Sequence, residues 1–342
     1  MQNQTISNTK IPYLSTLNVL SCWCVVMLHC NGVFWNRPKG TLWITSNFIE
    51  TVCYFAVPIF FMISGITLLD YPSKYSTGEY FKKRMKKAVI PFGIWSLIAF
   101  GYYGIIRGRS SGCNIFQILD NIINNRYLSI YWFFYPLFSI YMTIPILAQI
   151  TNKKRTFLYI SLIGLIFVAF LPLIFSLFSI SYNRELIPSI VAGYTIYPII
   201  GYLLANRDLS KKERMIIYIL GMIGWGLHFG GTLLFSDPGM IDQTFKGYLN
   251  APAVLQACGI FILIKYHVPQ NTYILRFINW LAKRTFGIYL IHYYVMSFLS
   301  SLLKLNTSSL QWRTFGAGMV FLLSAIVIWL MQKMPIIKRI VP

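Results

Sequence analysis

The sequence predicts an all-α, polytopic membrane protein with about ten transmembrane helices. Of its 342 residues, 56% are hydrophobic and 11% are charged, whereas about 25% of the residues in an ordinary soluble domain are charged. Mean hydropathy is +0.59, and apolar runs near the ~20 residues that a spanning helix needs cover most of the chain. We therefore expect a single transmembrane domain over residues 1–342, with no appended soluble domain.

Ten apolar runs are long enough to be spans. Many of them begin or end with Trp or Tyr, as do the aromatic belts at the two membrane surfaces. The first run does not resemble a cleaved signal peptide, because it is long, follows no strong basic cluster and lacks a small-x-small cleavage site. The runs are 12–34, 47–69, 88–106, 128–150, 156–180, 187–205, 215–235, 248–266, 281–303 and 314–332.

The formal net charge of +21 could indicate a nucleic-acid partner, but its distribution favours a topological origin. With a cytoplasmic N-terminus, 21 of the 30 Lys and Arg residues fall in inner segments and nine in outer ones. The positive-inside rule predicts this bias for short loops. We therefore expect both termini in the cytoplasm, a multi-pass protein of a bacterial plasma or inner membrane, and no nucleic-acid partner.

The stretch NVLSCWCVVMLHCNG places a histidine in an apolar helix. His29 lies 17 residues after Pro12, about 25 Å along a helix and so in the outer third of the membrane. Asn18, Cys22 and His29 share one helical face. An ionisable group in a span is costly and usually faces protein or a water-filled cavity, which makes His29 a functional candidate. The alternative is a packing histidine bonded to a neighbouring carbonyl.

Glu50 lies near the outer start of the second run, at a depth similar to that of His29. A carboxylate bonded to one imidazole nitrogen would orient the ring and raise its basicity. The alternative is that Glu50 lies at the interface and pairs with Arg37 or Lys39. The sequence does not choose between these two arrangements.

Two further histidines fall in predicted spans. His292 lies near mid-membrane, whereas we expect His228, in the outer half of its span, to be a satisfied helix-packing residue. No Cys or His spacing indicates a metal site.

The basic stretch YFKKRMKKAVIPF precedes the third run on the inner side. It fits a simple topology signal, contact with anionic membrane lipid, or a grip on a phosphorylated cytosolic ligand through charge-assisted contacts. Topology alone is sufficient to explain it, so the residues leave all three interpretations open.

Five segments, in order, resemble the acyltransferase 3 family of integral membrane O-acyltransferases. LNVLSCWCVVMLH resembles a first-helix pattern of Arg, ten residues, then His, and VPIFFMISG resembles the FF-x-x-SG signature. YFKKRMKKAVIPF is similar to the family's basic loop before a proline. YWFFYPLFSIYMTIPIL resembles its Trp/Phe-rich fourth helix, and RTFGIYLIH resembles its late GIYLIH segment. The resemblance covers nearly the whole chain.

The resemblance implies transfer of an acyl group, usually acetyl, from cytosolic acyl-CoA to a hydroxyl of a cell-envelope glycan. It implies that His29 is essential for the transfer, and Glu50 is the second catalytic candidate. It also implies that Arg84 and Lys87, with Lys83 beside them, bind the phosphates of coenzyme A.

Other positions match the family less directly. Asn18 stands where the family has an arginine, so any charge at that position is lost, although an amide can still hydrogen-bond a ligand. Ser64 matches the SG position and His292 the late histidine. Trp132 could stack on a sugar face, although an interfacial aromatic belt is the interpretation that we favour.

The expected activity is that of an acyltransferase moving groups other than aminoacyl groups, an O-acetyltransferase. Acetyl-CoA is expected as donor substrate and no cofactor is expected to be bound. The expected partners are a polysaccharide or lipid-linked oligosaccharide acceptor and membrane lipid. The alternative is a transporter or flippase of a glycan precursor, although no inverted repeat or pair of broken helices supports it; a catalytically inactive relative is a third interpretation, suggested by Asn18.

Overall fold

Helices make up most of the computed structural model, which describes residues 12–102 and 114–342. No β-strand is found in these two ranges, so the all-α prediction is confirmed there. This is expected in lipid, where each segment must satisfy its backbone hydrogen bonds internally. The helices are α1 Pro12–Cys30, α2 Gly40–Cys53, α3 Ala56–Leu68, α4 Thr77–Arg84, α5 Ile90–Ala99, α6 Ile115–Ile123, α7 Phe134–Ala148, α8 Lys154–Gly164, α9 Leu171–Leu177, α10 Ile196–Ala205, α11 Lys211–Phe235, α12 Ala251–Tyr266, α13 Thr272–Ala282, α14 Thr285–Leu302 and α15 Ala317–Lys333.

Six helical segments of the described chain are long and apolar enough to cross a membrane. The count of ten spans and the side of each terminus stay predictions, and the end of the predicted run 88–106 lies outside the described residues. "Inner" and "outer" below refer to the predicted topology. The six segments are Pro12–Cys30, Gly40–Ser73, Ser129–Ala148, Lys154–Leu177, Lys211–Phe235 and Trp312–Lys333.

Helices α2 and α3 belong to one apolar segment of 34 residues, Gly40–Ser73, that is interrupted at Tyr54 and Phe55. Pro58 lies in the first turn of α3 and has no N–H to donate to the carbonyl of Tyr54, so it favours a break at this point. Glu50 lies on the last turn of α2, just before this break.

Helix α1 lies inside the bundle and packs against α2, α3, α12, α13, α14 and α15. The face predicted from the sequence is confirmed, because Asn18, Cys22 and His29 all contact the α13–α14 region. The Cys22 thiol lies 3.5 Å from the carbonyl oxygen of Thr285, and His29 meets His292 seven residues further along each helix. The two helices therefore run parallel in matched register.

Helices α3 and α10 approach so closely that they need glycine at the contact. A Cβ on Gly65 would overlap the backbone of Pro198, and one on Gly201 would overlap Met62. Small residues allow this kind of backbone approach in membrane bundles. The hydroxyl of Ser64 donates to Phe60 O of its own helix at 3.0 Å, so it is Gly65 of the Ser-Gly pair that makes the contact between helices.

We expect Gly65→Ala to destabilise the protein by about 1–3 kcal/mol, the usual effect of overpacking a tight contact. Gly226→Ala is the matched control, because a Cβ there meets open space and alanine favours a helix by up to ~1 kcal/mol. Thermal unfolding of both variants in detergent measures the difference. A wild-type melting temperature for Gly65→Ala would contradict the close contact between α3 and α10.

Candidate active site

Two histidines from distant parts of the chain meet edge to edge. Nδ1 of His29 lies 2.6 Å from Nε2 of His292. The ring planes differ by 10° and the centroids are 4.8 Å apart, so the hydrogen bond lies close to both ring planes. His292 is fully buried, whereas His29 is only half-buried. Thus His29 is the member of the pair that an outside molecule can reach.

The partners of His292 assign the protons of both rings. Nδ1 of His292 lies 2.8 Å from Tyr289 O and 3.1 Å from Ile288 O. Carbonyl oxygens only accept, so this nitrogen carries the proton of the neutral ring and Nε2 has the lone pair. His29 therefore donates from Nδ1 to His292. Its own Nε2 keeps a lone pair, which is the form that a general base or nucleophile needs.

His29 lines a cavity of about 460 Å³ near the outer ends of the helices. This volume falls in the ~300–1,000 Å³ range of small-molecule sites. The rim includes Trp35 and Ser129, both of which are exposed. The cavity therefore opens on the outer side. The lining consists of Leu28, His29, Trp35, Glu50, Tyr54, Ser129, Ile130, Trp132, Tyr194 and Tyr248.

The floor of the cavity is tied to α14 by two reciprocal hydrogen bonds. Tyr131 donates its hydroxyl to Leu290 O at 2.9 Å, and Tyr289 donates its hydroxyl to Ile130 O. Residues 129–133 form a 3₁₀ turn before α7, so both partners are held in regular structure. These bonds fix Ile130, in the cavity lining, relative to the helix that carries His292.

Aromatic rings form one wall of the cavity. Tyr54 stacks on Tyr248 with centroids 4.2 Å apart, and Tyr248 stacks on Trp132 with centroids 5.4 Å apart. Trp132 thus lies in the cavity wall, near the outer end of the bundle where the sequence placed an interfacial aromatic. The wall therefore places aromatic rings beside polar groups of the same cavity, which suits an amphipathic molecule. A part for Trp132 in binding stays a prediction.

Glu50 forms a buried ion pair with Lys246, and neither of the two arrangements expected from the sequence is the one observed. Oε1 of Glu50 lies 2.7 Å from Nζ of Lys246, and the two side chains are 4% and 1% exposed. The loop between α11 and α12 folds back over α2 and brings this lysine to the carboxylate. Arg37 instead donates to Ser236 O at 2.8 Å. Glu50 nevertheless lines the same cavity as His29.

The surroundings of Lys246 stabilise a cation away from water. Its Nζ lies 4.0 Å from the ring centroid of Tyr54 and 4.8 Å from that of Phe34, and such contacts favour a cation over the ring face. Burial lowers the pKa of Lys246, and the Glu50 carboxylate opposes this change. Sequence reasoning missed Lys246 because one lysine in an outer loop resembles any other surface charge.

His228 is buried behind this ion pair. Its ring meets that of Tyr54 edge-on, with centroids 4.6 Å apart. Neither ring nitrogen has a hydrogen-bond partner within residues 12–102 and 114–342. The expectation that His228 packs between helices is confirmed, but the expectation that its hydrogen bonds are satisfied is wrong.

The predicted acyl-CoA cations lie far from His29, towards the inner end of the bundle. The guanidinium carbon of Arg84 lies 5.5 Å from the ring centroid of Tyr141. Tyr141 follows Trp132 by nine residues, roughly 14 Å along a helix. Lys83 pairs with Glu79 at 2.8 Å. Lys87, just beyond α4, is exposed.

Asn18 also lies on the inner side of His29. Its Nδ2 is 3.5 Å from Ala282 O, at the end of α13. The side chain is part-buried and joins α1 to this helix. It lies eleven residues before His29 on α1, towards the inner end of that helix, and a role in holding a donor molecule stays a prediction.

The sequence model of the acyltransferase 3 family, described as an acyltransferase domain, matches residues 11–330. The chain belongs to the acyltransferase 3 family. No curated protein and no solved structure matches the chain. The family match spans both histidines, the buried ion pair and the basic segment, so all the elements of the site lie inside the acyltransferase domain.

We expect Lys246→Met to lower the melting temperature in detergent. The substitution leaves the carboxylate of Glu50 buried without a counter-charge, and removing one partner of a buried pair costs about 3–5 kcal/mol. The double variant Glu50→Gln/Lys246→Met removes both charges and should recover most of the loss.

Lys39→Met is the matched control for this change, since Lys39 is an exposed lysine on the outer side. Equal melting temperatures for Lys246→Met and Lys39→Met would show that the pair does not stabilise the fold.

Proposed function

We propose that this acyltransferase 3 protein is a membrane O-acetyltransferase. It moves an acetyl group from cytosolic acetyl-CoA to a hydroxyl of a cell-surface or lipid-linked polysaccharide, in the plasma or inner membrane of a bacterium. The observation that carries the proposal is the His29–His292 pair, which leaves a lone pair on Nε2 of a histidine that lines the outer cavity. Family membership supports acyl transfer in general.

Two chemical routes use the same atom. In the direct route, Nε2 of His29 takes the proton of the acceptor hydroxyl, and the oxygen attacks the thioester carbonyl. A C–O bond forms, the C–S bond breaks, and the thiolate of coenzyme A leaves and takes the proton from Nε2 of His29. In the covalent route, Nε2 attacks the thioester carbonyl, an N–C bond forms as the C–S bond breaks, and the thiolate of coenzyme A leaves. The acceptor oxygen then attacks the acetyl carbon, the N–C bond breaks, and the hydroxyl proton passes to the thiolate. Both routes need an unprotonated Nε2, which the hydrogen bond to His292 favours.

The inner basic segment supports the choice of donor. Coenzyme A is rich in phosphate, and Arg and Lys make strong charge-assisted contacts with phosphate oxygens. Arg84 is held beside two tyrosine rings and is only half-buried, so part of its side chain can be reached by a ligand. In this proposal Arg84, Lys83 and Lys87 hold the phosphates while the pantetheine arm reaches outward past Asn18 to His29.

The outer cavity supports the choice of acceptor. A sugar ring has an apolar face and a rim of hydroxyls, which matches a wall of stacked aromatics beside polar groups. Trp132, Tyr248 and Tyr54 supply the rings, and Ser129 supplies a hydroxyl at the mouth. Since the mouth lies on the outer side, an acceptor presented at the outer face of the plasma or inner membrane can reach His29 directly.

We expect His29→Ala to remove the O-acetyl esters from the surface polysaccharide of the host. The variant loses the group that moves the proton or carries the acetyl, and such groups contribute about 10²–10⁴-fold in rate. O-acetyl content is measured with wild type and variant at equal membrane expression.

The control is His267→Ala, since His267 is exposed at the inner end of α12. Loss of esters in His29→Ala alone supports the proposal. Equal acetylation in wild type and His29→Ala would exclude His29 from the mechanism, and an absence of esters in every strain would refute this acceptor.

We expect His292→Phe to lower kcat by about 10²-fold through misplacement of the His29 ring. Phenylalanine keeps a ring on α14 but cannot accept the hydrogen bond from Nδ1 of His29. The Michaelis constant for acetyl-CoA should stay near the wild-type value, because His292 is fully buried and lies far from the cations proposed to hold coenzyme A. A merely structural role would instead lower the melting temperature and leave kcat per folded molecule unchanged.

A further inference from the structure

A second cavity of about 630 Å³ lies beside the His29 cavity on the outer side. It is formed by the end of α9, the loop that follows, and the start of α12. Half of its twelve lining residues are polar, so it differs from a lipid-facing groove. The polar residues are Ser176, Ser179, Ser181, Tyr182, Arg184 and Asn250.

The two cavities share their walls. Tyr194 lines the His29 cavity and its chain neighbour Gly193 lines the second one. In the same way, Tyr248 lines the first cavity, and Leu249 and Asn250, which follow it, line the second. Two separate stretches of chain therefore pass from one cavity to the other within one or two residues, which makes the cavities adjacent along a shared edge.

The wall of the second cavity is held by specific hydrogen bonds. At the end of α9 the chain turns through Ser179, with φ at 55°, and Ile180 N donates to Phe175 O at 2.9 Å, as in a left-handed helix cap. Tyr182 donates its hydroxyl to Phe167 O at 2.9 Å. On the facing wall, Asn250 donates to Lys246 O at 3.1 Å.

A nearby groove has the apolar lining expected of a lipid-facing surface, and its lining differs from that of the second cavity. A cavity of about 500 Å³ between α2, α11 and α12 is lined almost entirely by apolar side chains such as Phe48, Met222 and Leu263. Lipid chains suit such a lining. Serine hydroxyls, an arginine and an amide instead suit a ligand with many hydroxyls, because each can donate or accept a hydrogen bond.

We propose that the second cavity binds the neighbouring sugar units of the acceptor, so that the substrate of this site is an oligosaccharide or longer glycan. This inference rests on the proposed function. One sugar lies against Trp132 and Tyr248 with its hydroxyl at His29. The adjoining units continue past the shared wall and lie among Ser179, Ser181 and Arg184. Binding energy from these remote units raises kcat/KM for transfer at the first sugar.

The test compares acceptors of different length. The probe is envelope glycan of the host, O-deacetylated, cleaved, and sized into mono-, di- and tetrasaccharide fractions. With wild-type protein and acetyl-CoA, we expect kcat/KM to rise at least about tenfold from the monosaccharide to the tetrasaccharide. Ser181→Trp fills the second cavity and should lower kcat/KM for the tetrasaccharide to about the value for the monosaccharide.

Thr307→Trp is the matched control, because Thr307 is exposed in a different outer loop; it should keep the length dependence. The same rise in Ser181→Trp as in wild type, or no rise in wild type, would overturn the second cavity as a sugar site while leaving the proposed function intact. No transfer to any fraction would instead overturn both.

Discussion

The hydrogen bond between His29 and His292 is the constraint on which the site depends. It joins α1 to α14, two parallel helices whose contacting residues are 263 positions apart. His292 donates its own N–H to carbonyls of its helix, so it can only accept a hydrogen bond from His29. This sets the tautomer of the His29 ring. A neutral histidine here does the orienting that a carboxylate does in other acid–base pairs, and it introduces no net charge into the membrane interior.

The carboxylate that lines the same cavity has a different partner and a different task. Glu50 is neutralised by Lys246 under a set of aromatic rings, so the cavity holds a polar wall without an unpaired charge. A lone ion in this position would be costly. The pair also fixes the loop between α11 and α12 against α2. Through Tyr248 that loop supplies the middle ring of the aromatic wall.

Local sequence patterns predicted the helices of this protein better than they predicted the contacts between those helices. Apolar runs and the spacing of Asn18, Cys22 and His29 predicted helices and the buried face of α1, since both depend on short-range periodicity. The ion pair of Glu50 was not predictable, because its partner lies 196 residues away in a loop without regular pattern. The same holds for Trp132, whose sequence context is that of a membrane belt. The family resemblance singled out His292, but its contact with His29 needed the fold.

The loop between α11 and α12 combines two tasks that place different demands on its residues. Lys246 must keep its charge to match Glu50, whereas Leu249 and Asn250, only three and four positions later, face the second cavity. A substitution at Leu249 can therefore change the surface of the second cavity without disturbing the charge balance of the core, whereas Asn250 also holds the backbone of Lys246. This arrangement separates divergence of specificity from maintenance of the fold. Under the proposed function, related enzymes would acquire new acceptor preferences by substitution at such positions while the histidine pair remains unchanged.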